Sequence, residues 1–304
     1  MRRELRAVIA PAYDGMKIKT YARTVMKISS TLLNKMKYSQ GIFKNNKQVF
    51  VIERVSAGDQ LLFLLPEGVL SENVLPEKGE LDIRYEDEDL LILNKGSGMA
   101  VHPNKGHEFG TVANYLAGYY KKNGMEASCH LVNRLDVGTS GLMVVAKHAY
   151  AQERLAAQME NGTFARNYLA MVHGCFDEKE GRIEAPIARP DAATIKRAVD
   201  PRGKYAATNY MVLKSAKEAS LLRLWLDTGR THQIRVHMSH LGHPLYGDFL
   251  YGREEKAISH TALHSCYLSL EHPVTGRRMY WCSAPPPDFQ ALISDCFFES
   301  ESDR

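Results

Sequence analysis

An acidic stretch with two prolines and two glycines, PEGVLSENVLPEKGE at residues 66–80, divides the 304-residue chain into two parts. It shows no helical or alternating apolar period, and its turn-forming residues are typical of a connection. We therefore predict a module at residues 1–65, a linker at 66–80 and a larger body at 81–295. The polar end of the chain, residues 296–304, is predicted to be a flexible tail.

The amino-terminal part is strongly basic. Residues 1–65 hold twelve lysines and arginines against four acidic residues, a net charge of +8, whereas the whole chain carries +4. This asymmetry favours a basic module that meets a polyanion, although a solvated basic surface would show the same count. Apolar residues at helical spacing precede Asn45-Asn46, which is a typical hairpin turn. We expect helices followed by short strands.

From residue 81 the sequence alternates strand-like and helical runs. Helices are predicted at residues 111–124, 149–162 and 232–242; each ends at a glycine, and Thr231 is the expected N-cap of the last. Short apolar runs such as GLMVVAK, residues 141–147, are predicted to be buried strands. The uneven helix lengths favour an α+β body with a mixed or antiparallel sheet flanked by helices.

Several classes of protein are disfavoured. No apolar run approaches the roughly 20 residues that span a bilayer, and the amino-terminal apolar stretch is too interrupted for a signal peptide. The five cysteines lack CxxC spacing and are odd in number, so we expect reduced thiols in a cytoplasm. The sequence has no P-loop, GxGxxG, GxSxG or HExxH pattern, which removes the usual support for nucleotide-driven, hydride-transfer and zinc-peptidase chemistry.

A single carboxylate stands out in HLVNRLDVGTSGLMVVAK, residues 130–147. Asp136 follows a basic run and precedes a small, hydroxyl-rich turn and an apolar strand. Such a group could be a nucleophile, a general base or a metal ligand, or it could simply stabilise a polar turn. The spacing does not fit the His-Arg-Asp loop of kinases, and no second copy supplies the acid pair of aspartic proteases.

A second candidate region, TGRTHQIRVHMSHLGHPLYGD, starts at Thr228. Arg230, His232 and Arg235 fall on or just before a helix N-terminus, a natural position for binding phosphate or a carboxylate. The spacing of His237, His240 and His243 invites a metal interpretation, but Gly242 breaks the helix before the third histidine. Histidines that cap or pack are the favoured interpretation.

A third region, RNYLAMVHG at residues 166–174, reads as a strand. It places Tyr168 beside Arg166. A strand tyrosine is usually a packing residue, but beside a cation it could also stack on an unpaired nucleobase. The residues alone leave both interpretations open.

These three stretches, in this order, resemble the RluA-type family of RNA pseudouridine synthases. NRLDVGTSGLMVVAK is similar to the family's H-R-L-D-x-x-T-S-G-L signature, and RNYLAMVHG to its K-x-Y-x-A-x-V-x-G strand. TGRTHQIRVHMSHLGHPLYGD is similar to T-G-R-x-H-Q-I-R-x-H-x-x-x-x-G-x-P-x-x-G-D. The chain departs from the pattern at Asn133, where histidine is usual, at Gly96, where proline is usual, and at Arg166, where lysine is frequent. The amino-terminal module resembles, more distantly, an S4 RNA-binding module.

The resemblance implies the pseudouridine synthase fold and the isomerisation of uridine to pseudouridine, without cofactor or metal. It implies that Asp136 is the essential carboxylate at the ribose–base junction, that Arg235 is its ion-pair partner, and that Tyr168 stacks on the target base. RNA would approach through the small turn Gly138–Gly141, where glycine removes the Cβ obstruction. The RNA-binding residues so implied are Arg134, Thr139, Ser140, Arg230 and His232.

The partner implied is RNA, with ribosomal RNA favoured over transfer RNA, and the protein is expected to be a cytoplasmic monomer. Two alternatives remain at this point. The first is a non-catalytic RNA-binding or ribosome-assembly factor on the same fold, which the basic module and the three departures favour. The second is an N-glycosidase that uses the same acid and releases free uracil.

Overall fold

The computed structural model of the chain describes residues 2–68, 74–191, 193–253 and 255–298. Residues 69–73 of the predicted linker and residues 299–304 of the predicted tail lie outside the described residues. The predicted start of the tail is wrong, because the last helix continues to Phe298.

The amino-terminal module is a small α+β unit built around its own apolar core. Its four strands form an antiparallel sheet in the order β1-β4-β2-β3. Asn45 and Asn46 both have positive φ, 51° and 62°, as a two-residue hairpin turn requires. The predicted helical run is split near Lys27, and Ser29 caps the second helix by accepting the Leu32 N–H at 3.1 Å. The elements are β1 (Glu4–Val8), α1 (Ile18–Thr24), α2 (Ser30–Tyr38), β2 (Ile42–Lys44), β3 (Lys47–Gln48) and β4 (Gln60–Leu64).

The body adds twelve strands and four helices among the described residues. They are β5 (Ile83–Glu86), β6 (Leu90–Lys95), α3 (Val112–Lys122), β7 (His130–Leu131), β8 (Ser140–Ala146), α4 (Ala149–Glu160), β9 (Ala165–His173), β10 (Glu180–Glu184), β11 (Ile187–Ala188), β12 (Ala198–Val199), β13 (Ala207–Ala216), β14 (Ala219–Leu226), α5 (Gln233–His240), β15 (Leu263–Glu271), β16 (Arg278–Cys282) and α6 (Pro287–Phe298).

A ten-stranded mixed sheet organises the body. Its path runs β10-β13-β14-β9-β15-β8-β6-β5, with β16 paired to β15 and β7 paired to β8. The pairing of β8 with β15 is parallel, whereas the other pairs described in this sheet are antiparallel. The two short strands β11 and β12 form a separate hairpin. The mixed sheet flanked by helices is the expected fold class.

The central strands are buried on both faces, which explains why their sequences are continuous apolar runs. In β8, Met143 and Val145 pack in the core that includes α3 and α5. Leu142 and Val144 point the other way, into the core that includes α4. Asp136 immediately precedes this strand, so the turn that carries it is anchored on a rigid element.

The module docks directly on the body. Arg3 donates to both carboxylate oxygens of Asp89 at 2.7 and 2.9 Å, and Ser29 Oγ donates to Glu153 Oε1 at 2.6 Å. Tyr150 of α4 packs into the apolar core of the module and donates to the Met26 carbonyl at 2.9 Å. The two parts therefore share a packed interface as well as a connection.

The last helix starts at Pro287, since proline is tolerated in the first turn of a helix. One local prediction needs correction. Thr231 is not the N-cap of α5, because that position belongs to His232, which has a left-handed φ of 59°. No helix of the described residues is long and apolar enough to cross a bilayer.

Candidate active site

A cleft of about 690 Å³ brings the sequence-predicted site residues together. Asp136, Tyr168 and Arg235 line it, although they lie on the turn before β8, on β9 and on α5. The predicted RNA-binding residues Arg134, Arg230 and His232 line the same cleft. Thr139 lines a smaller adjoining hollow of about 60 Å³, and Ser140 lines neither.

The backbone around Asp136 is held by neighbouring segments. The Thr139 N–H donates to the Asp136 carbonyl at 3.0 Å, which closes the turn. The next carbonyl, that of Val137, accepts from the Gly98 N–H at 2.9 Å and from Lys95 Nζ at 3.2 Å. About a quarter of the Asp136 side chain is exposed, so its carboxylate can meet a ligand in the cleft.

Arg235 connects Asp136 to a second, fully buried carboxylate. Its Nη1 lies 3.3 Å from Asp136 Oδ2, while its Nε and Nη2 each donate to Asp248 at 2.7 Å. Asp248 also accepts the N–H groups of Leu250 and Tyr251 at 3.1 and 3.2 Å. The bidentate pair fixes the plane of the guanidinium and aims its remaining edge at Asp136.

Lys95 places a second cation near Asp136. Its ammonium group, on a side chain that is almost completely buried, donates to the carbonyls of Gly96, Met99 and Val137. Burial lowers the pKa of this lysine to about 8, although the charge of Asp136 acts in the opposite direction. The ammonium is therefore still mostly charged at pH 7.

His232 is the third polar group beside the acid. Its Nδ1 lies 2.8 Å from the Tyr251 hydroxyl, which also accepts the Arg197 N–H at 2.7 Å. Burial lowers the pKa of His232, so the ring is neutral at pH 7. Its Nε2 lies 3.9 Å from Asp136 Oδ1, too far for a hydrogen bond.

Tyr168 lies within the wall of the cleft. Its side chain is only 4% exposed, and the described residues give its hydroxyl no hydrogen bond. Burial is the main cause that raises the pKa of the phenol, and the nearby charge of Asp136 adds to it. The phenol is therefore protonated at neutral pH and able to donate to a group that enters the cleft.

The glycines near Asp136 serve the packing of the chain itself. A Cβ on Gly141 would lie 2.4 Å from the Ser265 carbonyl oxygen, and one on Gly138 would lie 3.1 Å from Thr261 Oγ1. The parallel contact between β8 and β15 requires the absence of a side chain at Gly141, which also has a φ of +112°. The expectation that these glycines make room for RNA backbone is therefore wrong for Gly141.

Ser140 is not available to RNA in this structure. It is 3% exposed, and its Oγ lies 2.9 Å from His264 Nδ1, while His264 Nε2 lies 3.1 Å from the Ser283 carbonyl. The predicted RNA contact of Ser140 is wrong, because the side chain points into the sheet and joins β8 to β15.

His264 makes the stability of this region dependent on pH. Burial lowers its pKa from the ordinary 6.5 to about 4, so the unfolded chain takes up the proton first. The contribution of neutral His264 to the free energy of unfolding is complete above pH 6.5 and is lost as the pH falls towards 4. We expect urea unfolding to show a loss of about 2 kcal/mol between pH 7.5 and pH 5 from this group. His264→Gln should lose correspondingly less stability over the same interval; equal losses in both proteins would contradict the assignment.

Two of the three histidines considered as metal ligands have other partners. His237 lies within hydrogen-bonding distance of Thr208 Oγ1 and the Ala185 carbonyl, and His243 of the His173 carbonyl. One group in the described residues has metal-binding geometry, formed by Asp87, Asp89 and His272. Asp89 is also bound by Arg3 and His148, and the group does not line the cleft.

Asn133, a departure from the family pattern, has a structural role. It is 2% exposed, accepts the Val144 N–H at 2.7 Å and donates to the Leu142 carbonyl at 3.4 Å. Its amide thus ties the segment before Asp136 to β8. Gly96 faces open space, so the missing proline is not explained by steric conflict at that position.

A family model described as RNA pseudouridylate synthase matches residues 89–240, half of the chain. The matched segment contains Asp136, Tyr168 and Arg235. The chain belongs to the RNA pseudouridylate synthase family. Both the expected fold and the expected class of enzyme, an isomerase that acts on RNA, are confirmed.

Full-length relatives agree with this family. The pseudouridylate synthase is 42% identical over 279 residues to the uncharacterized RNA pseudouridine synthase YjbO of Bacillus subtilis (strain 168), covering 91% of this chain and 98% of the relative. It is 42% identical over 233 residues to ribosomal large subunit pseudouridine synthase D of Yersinia pestis, covering 72% and 71%. The solved human RNA pseudouridylate synthase domain containing 1 matches with a TM-score of 0.55 and 26% identity, covering 69% of this chain and 86% of that one.

Sequence reasoning missed Asp248 and Lys95 as parts of the site. Asp248 ends a motif that was recognised, and its spacing of 13 residues from Arg235 gives no local signal of a pair. Lys95 is the last residue of the buried strand β6, and a lysine is rarely enclosed there without a partner. Its place at the end of an apolar run is the one signal in the sequence that could have indicated it.

Proposed function

We propose that this enzyme isomerises uridine in large-subunit ribosomal RNA and that Asp136 is its catalytic carboxylate. The observation that carries the assignment of the acid is its position: it is the one carboxylate among the residues that line the cleft in the described structure. Two relatives, from Yersinia pestis and Pseudomonas aeruginosa, are named ribosomal large subunit pseudouridine synthase D, which supports ribosomal RNA as the substrate.

The reaction changes which ring atom of the uracil is bonded to C1′ of its ribose. The bond between N1 and C1′ breaks and a bond between C5 and C1′ forms; C5 releases a proton and N1 gains one, so the exchange is balanced without an electron carrier. A carboxylate beside C1′ can stabilise or capture the charge that develops there as N1 leaves. We assign that task to Asp136.

Arg235 and Lys95 are proposed to balance the charge of Asp136 when RNA fills the cleft. Covering a carboxylate with a substrate removes the water that stabilises its charge. The nearby cations offset this loss. Asp248, the second carboxylate partner of Arg235, holds the guanidinium so that Nη1 lies 3.3 Å from Asp136 Oδ2. Arg235 thus acts as a positioning and charge-balancing residue for the acid.

Three arginines are proposed to hold the RNA backbone. Arg134, Arg166 and Arg230 line the cleft, and no carboxylate of the described residues lies within 4.0 Å of any of these guanidinium groups. Such unpaired cations favour phosphate. His232, at the left-handed start of α5, would contact the nucleotide. Thr139 lines the adjoining hollow but is only 2% exposed, so it would be reached only if the turn around it opened. The S4-like module, with its net charge of +8, would add a second RNA contact.

Tyr168 is proposed to stack on the target base and to donate a proton during the rearrangement. Tyr168→Phe keeps the ring but removes the hydroxyl, so kcat should fall by about 10²-fold or more while RNA binding stays within about twofold. Tyr168→Leu should also weaken RNA binding, by about tenfold, because the stacking surface is lost. Single-turnover kinetics and filter binding separate these effects. If Tyr168→Phe left kcat unchanged, the hydroxyl would have no part in proton transfer and Tyr168 would serve only to stack on the base.

The test of the proposed function is the release of tritium from RNA labelled at uracil C5, without added S-adenosylmethionine. Isomerisation must expel this hydrogen, and omission of the methyl donor excludes C5 methylation. We expect release from large-subunit ribosomal RNA transcripts and none from transfer RNA transcripts. Release from transfer RNA alone would overturn the substrate assignment. Liberation of free uracil would instead indicate the N-glycosidase.

The oligomeric state, cellular location and metal requirement belong to the same proposal. We propose an active monomer that works in the cytoplasm, where ribosomal RNA is found. We further propose that the reaction needs no metal ion. Light scattering of the active protein and activity after treatment with EDTA test the first and last points; a dimer as the active species, or lost turnover restored by a metal, would contradict them.

A further inference from the structure

Two large apolar side chains are exposed on the wall of the cleft. Phe249 is 69% exposed and Ile195 is 63% exposed, and they come from different loops. The other large apolar residues that line the cleft in the described structure are buried or half-buried. Single exposed apolar residues are common on protein surfaces, but these two line the same cleft and give it exposed apolar area.

Hydrogen bonds hold the backbone turn that carries Phe249. Its neighbour Asp248 holds Arg235 through two hydrogen bonds and accepts the N–H groups of Leu250 and Tyr251. The Gly252 N–H donates to the Asp248 carbonyl at 2.8 Å, which closes the turn on its far side. The turn thus presents an aromatic ring to solvent, one residue away from the carboxylate that positions Arg235.

The electrostatic surroundings indicate the chemistry of the occupant. Arg134, Arg166 and Arg230 line the same cleft without carboxylate partners among the described residues. An apolar surface bordered by unpaired guanidinium groups fits a ligand that has flat apolar faces and negative charges. A single-stranded nucleic acid has both properties, because its bases stack on aromatic rings while its phosphates bind cations. A protein partner would more often cover such a surface with acidic or apolar side chains.

We propose that Phe249 is a stacking platform for the nucleobase that adjoins the target uridine, with Ile195 as an apolar wall beside it. This inference rests on the proposed function, since it takes the cleft around Asp136 as the place where the uridine is bound. A uridine that leaves its stack deprives its neighbour of one stacking partner. An aromatic ring in the cleft replaces the lost contact, so Phe249 stabilises the bound RNA once the target uridine has left its stack.

The experiment is a double-mutant cycle between Phe249 and the neighbouring base. Short single-stranded RNAs with a central uridine are made intact, or with an abasic nucleotide on the 5′ or the 3′ side of the uridine. Their Kd values are measured in the Asp136→Asn background, so that no turnover occurs. We expect Phe249→Ala to weaken binding of the intact RNA by about tenfold. Removing the neighbouring base that stacks on Phe249, on either the 5′ or the 3′ side, should also weaken binding by about tenfold. When Phe249→Ala and this base removal are combined, Kd should rise little more than with either change alone.

The controls separate stacking from loss of fold. Phe249→Trp should restore the affinity of the intact RNA. Tyr280→Ala, at a ring that is 72% exposed on β16 and does not line the cleft, should leave it unchanged. In the active background, Phe249→Ala should raise KM for labelled ribosomal RNA with little change in kcat.

Additive effects of Phe249→Ala and base removal on both sides of the uridine would overturn the inference. If the wild-type protein still releases tritium in that case, the proposed function stands without it. If the wild-type protein releases none, the proposed function fails and the inference fails with it.

Discussion

Replacing Asp136 with asparagine is expected to reduce tritium release from C5-labelled RNA by at least about 10³-fold, to the background of the assay. Asparagine has nearly the same shape but cannot supply a negative charge at the ribose–base junction. The ion pair with Arg235 at 3.3 Å is lost as well, although Arg235 keeps its bidentate contact with Asp248. The fold should therefore persist.

RNA binding provides the control for this variant. Removing a negative charge from a cleft lined by arginines lowers the repulsion of phosphate, so the Kd of the Asp136→Asn variant should be equal to or lower than that of the wild type. Asp200→Asn is a matched control, because Asp200 pairs with the exposed Arg202 and does not line the cleft. It should keep full turnover. Significant release by the Asp136 variant would show that another group performs the essential step.

The sequence predicts much of the body, because its central elements have strong local patterns. The run GLMVVAK is a strand buried on both faces, and the helix after Thr111 has a capping box and ends just before Gly124. The gathering of Asp136, Tyr168 and Arg235 in one cleft follows from the family resemblance. Neither periodicity nor spacing implies it, because these residues lie on separate segments that only the sheet order brings together.

The remaining features depend on contacts that are distant in the sequence. Gly141 looks like a residue that makes room for a ligand, but only the pairing of β8 with β15 shows that Ser265 occupies the space. The same pairing buries Ser140 against His264. Asp248 gives no local signal, since its partner is on another element. A local pattern can identify a small or polar residue, but it cannot say whether its neighbour is RNA or the chain itself.

Arg235→Ala is expected to lower the free energy of unfolding by about 3–5 kcal/mol, because it leaves the carboxylate of Asp248 buried without its charge partner. Asp248 is completely buried, so water cannot replace the lost hydrogen bonds. The corresponding fall in Tm is roughly 10 °C for a domain of this size. Arg235→Lys should recover only part of this loss, since an ammonium group cannot bind Asp248 in bidentate fashion and still reach Asp136. Urea unfolding and calorimetry measure the effect.

A double variant separates the structural role of this pair from its role beside the acid. Arg235→Met with Asp248→Leu removes both buried charges and fills much of their volume, so stability should return to within about 2 kcal/mol of the wild type. Tritium release should nevertheless remain close to background, because Asp136 has lost the guanidinium at 3.3 Å that we propose balances its charge beneath the substrate. If turnover returned together with stability, Arg235 would serve only to hold the fold, and Lys95 would be the remaining cation near Asp136 to balance its charge.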